Sequence, residues 1–341
     1  MIRFSVIIVS WNALDHLQTF LPGVVQTNYS DFEIILADNA STDGSAEWVR
    51  SAFPTVKIAA LDRNYGYCGG NNRAVPYATG DVLIFLNNDV DVDPAWLTHL
   101  ARSFEADSDV AAVQPKMRAY EDPEYFEYAG AAGGYLDAYG FPFCRGRLFD
   151  SVEKDTGQYD DSAEIFWASG AALAIRKEIF QKLGGFDEDF EFHMEEIDLC
   201  WRLWNRGYTV RFAPESIVYH LGGGSLPMNS PRKAYYNYRN SLAMLWKNYH
   251  TAALITRIPV RLLFDVAAAF RELISGRFRF FYAIVRGHLH FYASLSKIHI
   301  KRKALRAERI VPGDPRPIYT KSVVIDYFLK KKRKFTQLNC K

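Results

Sequence analysis

The sequence predicts an α/β fold on a mainly parallel sheet, followed by a basic helical region, and three observations carry that prediction. Short apolar, β-rich runs alternate with helix-like segments over the first 114 residues. Polar residues gather at the carboxyl ends of those runs. The charge balance then reverses near residue 231, where residues 1–231 hold 17 Lys+Arg against 34 Asp+Glu and residues 232–341 hold 24 against 5.

The strand candidates are residues 5–10 (SVIIVS), 32–37 (FEIILA), 56–60 (VKIAA), 82–86 (VLIFL) and 110–114 (VAAVQ). Their unbroken apolar character fits strands covered on both faces, as in a parallel sheet. Residues 15–26, 43–52, 69–78 and 94–105 read as the intervening helices, and this alternation implies right-handed crossovers. With 49% apolar residues over 341 positions, the chain can bury one large core or two smaller ones. Residues 1–231 are expected to form the sheet-bearing domain and residues 232–341 a basic amphipathic helical region and tail.

Within the first region, residues 115–165 are rich in Tyr, Gly and Asp with weak periodicity. They read as an insertion over the sheet edge, a lid or acceptor loop. The acidic front suits a divalent cation or a cationic ligand, and the basic, aromatic back suits phosphate, nucleic acid or an anionic membrane surface. No nucleic-acid recognition motif supports the second of these uses. The four cysteines (68, 144, 200 and 340) are far apart and form no CxxC, so neither a zinc cluster nor a disulfide framework is suggested and a reducing cytosol is the default. Neither a signal peptide nor an apolar stretch long enough to span a bilayer is apparent. In residues 252–270, Arg257, Arg261 and Asp265 recur every four positions on an otherwise apolar helix. That pattern suits lying on a membrane or packing on the sheet domain, and basic charge nearby and in the Lys330 to Lys334 tail favours an anionic cytoplasmic leaflet.

Ligands of open α/β sheets bind at the carboxyl ends of the strands. Here those ends carry Ser10-Trp11-Asn12, Asp38-Asn39-Ala40-Ser41-Thr42-Asp43-Gly44, Asp62-Arg63-Asn64-Tyr65-Gly66 and Asn87-Asn88-Asp89-Val90-Asp91. In the last of these, Asp93-Pro94 is a good helix start, which explains Asp93 but not Asp89 or Asp91. An EF-hand loop fails, because Pro94 and Leu100 stand where glycine and glutamate are required. A carboxylate ending a central strand can instead hold Mg²⁺ or Mn²⁺ that takes its other ligands from water and phosphate. Residues 64–72 (NYGYCGGNN) either bring backbone close to a phosphate or make a tight loop. Farther on, Glu195, Glu196 and Asp198 open a helix. Asp198 either pairs with Arg202 at i,i+4 or joins its neighbours as a general base kept ionised by the helix dipole. His220 ends a strand-like segment before a Gly-Gly-Gly-Ser run and is either structural or a metal ligand.

Together, residues 5–12, 38–45 (DNASTDGS), 64–72, 80–91 (GDVLIFLNNDVD), 168–171 (ASGA), 195–202 (EEIDLCWR) and 218–220 resemble, in order and spacing, the family-2 inverting glycosyltransferases. The bacterial rhamnosyltransferase-like members of cell-surface polysaccharide assembly are the nearest in flavour, and the likeness covers roughly residues 3–225. It implies a GT-A (Rossmann-like) nucleotide-sugar-binding fold, with Ser10, Trp11 and Asp38 around the nucleoside and Asn64 and Asn71 near the base or phosphates. The family's DxD motif falls on Asn87-Asn88-Asp89. Its first acid is therefore absent, which leaves Asp89 as the metal contact and His220 matching a C-terminal ligand of some relatives. The ED motif falls on Glu195-Glu196, so Glu196 stands where the base aspartate is usual, with Glu195 and Asp198 as alternatives.

The resemblance implies inverting transfer from a UDP- or dTDP-sugar to a hydroxyl of a glycan or lipid-linked glycan, on the inner face of the cytoplasmic membrane. A sugar nucleotidyltransferase is the enzymatic alternative, but it calls for a basic, glycine-rich triphosphate loop near strand one, and Ser10-Trp11-Asn12 is not that. A non-catalytic nucleotide-sugar scaffold is the third reading, kept open by Asn87 and Glu196.

Overall fold

The computed structural model describes residues 1–222 and 229–340, so the last part of the glycine run after His220 lies outside the described residues. The chain runs β1 (Phe4–Ser10), α1 (Leu14–Val25), β2 (Phe32–Asp38), α2 (Ser45–Ala52), β3 (Lys57–Ala60), α3 (Gly66–Ala74), β4 (Val82–Asn87), β5 (Val90–Val92), α4 (Trp96–Glu105) and β6 (Val110–Ala119). Four short strands follow: β7 (Gly134–Asp137), β8 (Pro142–Cys144), β9 (Arg147–Leu148) and β10 (Ser151–Val152). Then come β11 (Ala172–Arg176), α5 (Lys177–Lys182), α6 (Glu195–Asn205), β12 (Thr209–His220), α7 (Pro231–Asn248), α8 (Thr251–Ile274), α9 (Phe278–Ala293), α10 (Leu295–Ala307) and β13 (Ile318–Tyr319).

The main sheet has the order β3-β2-β1-β4-β11-β6-β12-β5. Its first four strands are parallel, as their apolar runs predict. The remainder is mixed, because β11 enters antiparallel between β4 and β6 and β5 folds back on β12. Strict alternation explains the continuous apolar runs. Ile7, Ile35 and Phe85 face one core with residues of α3, α5 and α6, while Val6, Ile8, Leu36 and Ile84 face the other with α1 and α4. Register brings Ser10 beside Asp38 and Val9 beside Asn87, so the polar strand ends form one edge.

Residues 115–165, expected as an insertion over the sheet edge, include ordered strands of their own. Between residues 134 and 152 the segment carries four short strands of a second sheet, β10-β9-β8-β7-β13, whose last strand arrives from the C-terminal region. Asp137, buried at its centre, accepts backbone N–H groups from Tyr139, Phe141 and Val323, fixing a tight turn and the remote segment together. The tail is likewise held: Lys330 and Lys332 pair with the buried Asp326, Arg333 stacks on Tyr327, and Leu338 is fully buried.

Helix α4 starts at Trp96 rather than Pro94, because Asp93 caps the preceding turn by accepting the Ala95 N–H at 2.9 Å. The paired glycines 69 and 70 lie inside α3, where a Cβ on Gly70 would stand 2.9 Å from both Val9 and the Asn39 amide. Close packing of α3 on β1 therefore requires glycine at position 70.

Candidate active site

The loops after β1 and β2 lock together at the sheet edge. Asn12 accepts the Thr42 N–H at 2.8 Å, Ser41 Oγ accepts the Asn12 N–H at 3.0 Å, and Asp43 accepts the Leu14 N–H at 2.9 Å. Asn12 and Ala40 take left-handed backbone angles (φ 48° and 60°), strain of the kind that clusters at functional sites. Ser10 and Asp38 are buried beneath these loops and Trp11 stands exposed above them. Asn88 donates to Ser10 Oγ at 3.3 Å, joining the β4 turn to β1.

Asn64 and Asn71 have local duties. The Asn64 side chain accepts the Gly66 N–H at 2.8 Å at the start of α3, and Asn71 donates back to the Tyr67 carbonyl at 3.0 Å inside that helix. Asn39, not singled out from the sequence, holds the same helix end through the Gly66 carbonyl and the Tyr65 N–H.

Pairing of β5 with β12 sets His220 opposite Val90 and so beside Asp89. The His220 Nε2 is 3.2 Å from an Asp89 carboxylate oxygen, and its Nδ1 is 3.1 Å from Glu127. All three side chains are buried. Burial disfavours the imidazolium of His220, yet the two carboxylates outweigh it and push its pKa up to about 10. For Asp89, burial acts to raise the pKa, and His220 more than reverses this, holding it below the ordinary value. Glu127 was missed in the sequence because it lies 93 positions from His220 with no motif spacing. Ala129 N–H fixes its other oxygen at 2.5 Å.

Among the described residues no set of three His, Cys, Asp or Glu side chains can hold a cation unaided. Two converging donors 3.2 Å apart still match the bite of one small divalent cation, whose bonds are about 2.1 Å each, provided phosphate or water completes the shell. Asp89 and His220 would therefore fit the metal that the resemblance implies, with the cation replacing the proton that the imidazole shares with Asp89 in its absence.

A turn at Ser169-Gly170-Ala171 links this corner to the second acidic cluster. The Asn87 N–H donates to the Ala171 carbonyl at 3.0 Å, and the Tyr67 hydroxyl donates to the Gly170 carbonyl at 2.6 Å. A Cβ on Gly170 would lie 3.1 Å from the Tyr67 hydroxyl and 3.8 Å from the Glu196 Cβ, so Glu196 stands against this turn. Helix α6 is reached through three left-handed non-glycine residues, Glu191, His193 and Met194, a second concentration of strain.

Glu195 and Glu196 occupy the first turn of α6, and one oxygen of each is buried without a partner. Desolvation raises both pKa values. Glu196 reaches about 7, while Glu195, buried more deeply and beside the charge of Glu196, is pushed well above the ordinary range. Environments that push two carboxyl groups apart assign their roles. Burial and the neighbouring Glu196 thus favour the protonated form of Glu195 more strongly than burial favours that of Glu196.

Asp198, carried as an alternative base, is corrected by its surroundings. It is fully buried and accepts from Arg202 at 2.9 Å, Lys247 at 3.0 Å and Asn248 at 2.8 Å, so no lone pair faces the cleft. It anchors α6 to α7. Asp187 and Asp189 are likewise engaged by Lys247, Lys297 and Lys301.

Comparison with known proteins fits this geometry. The profile described as Glycosyl transferase family 2 matches residues 5–184, more than half of the chain. The chain belongs to glycosyltransferase family 2. This family-2 glycosyltransferase is 29% identical over 225 residues to an O-antigen biosynthesis protein of Myxococcus xanthus, covering 64% of the chain and 17% of that protein. It is 26% identical over 233 residues to the N-acetylglucosaminyl-diphospho-decaprenol L-rhamnosyltransferase of Mycobacterium tuberculosis, covering 63% of the chain and 75% of the relative. It therefore spans only a small part of the first relative. The structure of GalNAc-T7, solved with UDP, GalNAc and Mn²⁺, aligns with a TM-score of 0.59 at 19% identity over 74% of this chain and 49% of that one. That likeness establishes the GT-A fold.

Proposed function

We propose that this glycosyltransferase moves a sugar from a nucleoside diphosphate donor to an acceptor hydroxyl with inversion at the anomeric carbon. One observation carries the reading: a buried Asp89–His220 corner and the Glu196 carboxylate stand on either side of a single turn, Ser169-Gly170-Ala171. Ser10 and Asp38 line the nucleoside side, with Trp11 exposed above it. Asp89 and His220 would hold Mg²⁺ or Mn²⁺, which when bound would offset charge on the diphosphate. Glu196 takes the proton of the acceptor hydroxyl as that oxygen forms its bond to the anomeric carbon. The bond to the diphosphate oxygen breaks on the opposite face, and the nucleoside diphosphate keeps the electron pair. Glu195, protonated, keeps a second negative charge away from Glu196.

The names of the two relatives favour a cell-surface glycan as product and a lipid diphosphate as carrier of the acceptor. We accordingly place the enzyme at the cytoplasmic membrane surface as a peripheral protein; no helix among the described residues is long and apolar enough to cross a membrane. A thermal-shift screen of UDP- and dTDP-sugars with and without Mn²⁺ tests the donor site, since a ligand that binds the folded state stabilises it by mass action. One donor is expected to raise the melting temperature in a metal-dependent way. The catalytic reading fails if folded Asp89→Ala and Glu196→Gln both keep wild-type transfer rates.

A further inference from the structure

Helix α8 is amphipathic with its faces reversed. Its central charged pair points inward: Arg261 pairs with Asp265 at 2.9 Å and donates to Ser241 and the Gly140 carbonyl, while Asp265 meets His288 of α9. Its outward stripe is Ile255, Leu263, Val266, Phe270 and Ile274, with Ile274 84% exposed. After the turn at residues 275–277, α9 continues the surface with Phe278, Tyr282 and Leu289, each about two-thirds exposed. An apolar surface of this extent marks an interface.

Beside the stripe lies a groove of ≈ 560 Å³ between α7 and α9, lined by Pro231, Arg232, Tyr235, Tyr236, Arg279, Tyr282, Ala283 and Arg286. No carboxylate lines it. Among the described residues Arg232, Arg279 and Arg286 make no salt bridge, although aromatic rings hold two of them: Arg286 lies over Tyr235 at 5.0 Å and Arg232 lies 5.8 Å from Phe192 and Tyr236. Three arginines on an aromatic floor suit a multiply charged phosphate. Tyr282 belongs to both groove and stripe, so a ligand with an anionic head and a long apolar tail touches both at once. Phe192, whose ring lies 5.8 Å from the Arg232 guanidinium, is three residues before Glu195. A nucleic acid would use the charge and leave the stripe uncovered.

We propose that this groove holds the diphosphate of a membrane lipid while the α8–α9 stripe sits in the bilayer interface, delivering a lipid-linked acceptor to Glu196 from the α7–α9 side. The inference rests on the reading of the enzyme as a transferase with a lipid-linked acceptor. Its energetic logic is that of an interfacial helix: apolar burial supplies affinity and basic side chains select the head group.

The test is vesicle flotation of the full chain with geranylgeranyl diphosphate in neutral phosphatidylcholine. Parallel arms use phosphatidylglycerol vesicles and free inorganic pyrophosphate. The diphosphate lipid is expected to bind at least tenfold more tightly than neutral vesicles, and more tightly than phosphatidylglycerol. Arg279→Gln/Arg286→Gln is expected to lose that increment, and Leu263→Asn/Ile274→Asn to lose vesicle binding altogether, with melting temperatures confirming that both variants fold. Equal binding to phosphatidylglycerol overturns the diphosphate site, as does full competition by pyrophosphate with no contribution from the tail. A concentration-dependent dimer abolished by Leu263→Asn/Ile274→Asn, without vesicle binding, assigns the stripe to a second copy and overturns the proposal. If nucleotide still stabilises a chain that ignores the diphosphate lipid, this inference falls and the donor reading stands.

Discussion

Asp198→Ala separates an anchoring carboxylate from a catalytic one. The wild-type side chain is fully buried and satisfies Arg202, Lys247 and Asn248. Its removal leaves two buried cations short of a partner, and breaking a buried ion pair from one side costs about 3–5 kcal/mol. Some compensation remains. Lys247 keeps Asp187 at 2.6 Å, and Arg202 keeps the carbonyls of Leu183 and Gly185 at 2.9 and 2.8 Å. The lower end, about 3 kcal/mol, is therefore expected, which at roughly 2 °C per kcal/mol for a chain of this size lowers the melting temperature by about 6 °C. Adding Lys247→Met to Asp198→Ala removes one orphaned charge and should return part of the loss, a coupling read from the double-mutant cycle. Below the melting transition the variant should transfer sugar at close to the wild-type rate. A wild-type melting temperature together with the roughly 10²-fold or greater rate loss of a missing general base would refute the anchoring role.

Glu196→Gln is expected to raise stability while removing activity. The folded protein holds the Glu196 proton to about 7 against an ordinary value of 4.5, so the wild type is unpenalised below the ordinary value and loses stability as pH climbs towards 7. The melting-temperature advantage of the glutamine variant should therefore open across that window and flatten above it; a more stable wild type at pH 8 would contradict the buried-carboxylate account. Wild-type kcat/KM should rise over the same window as Glu196 ionises. Glu127→Gln keeps its size but removes the charge behind His220, and such supporting carboxylates typically contribute about 10- to 100-fold in metal affinity. The Mn²⁺ concentration needed for the nucleotide-dependent thermal shift should increase accordingly, and an unchanged midpoint would deny Glu127 that role.

The central strands were legible because strands covered on both faces write themselves as continuous apolar runs, and β1, β2 and β4 do so from end to end. The second sheet was not. Its strands are two to four residues long, too short for a period-2 signal, and one edge comes from Ile318–Tyr319, far along the chain. Strand-end polarity pointed to Ser10, Asp38 and Asp89, and the sheet brings the strands that carry or precede them side by side. It could not distinguish the idle acid from the occupied one in α6, because the partners that engage Asp198 lie on α7, whereas Glu195 and Glu196 meet nothing there. Glu127 was silent for a related reason: a single glutamate in a tyrosine-rich segment acquires meaning only when β12 brings His220 to it.

The charge reversal between the two parts of the chain divides into two populations in space. One population turns inward. Arg239, Lys247, Lys297 and Lys301 neutralise Glu191, Asp187, Asp189 and Asp198 and so fix the loop that delivers Glu195 and Glu196. The other faces out, at Arg232, Arg279 and Arg286, with no acid to meet it among the described residues. The periodicity of α8 showed that its two faces differ, but periodicity carries no information about which face turns inward. Burying Arg261 and Asp265 brings little net stability, since desolvation offsets much of their attraction. The hydrophobic gain that normally drives an amphipathic helix onto its domain is therefore unspent on the outer stripe of α8. In water that stripe remains a standing cost, and a bilayer interface, which also presents phosphate to the three outward arginines, removes the cost and supplies their counter-charge together.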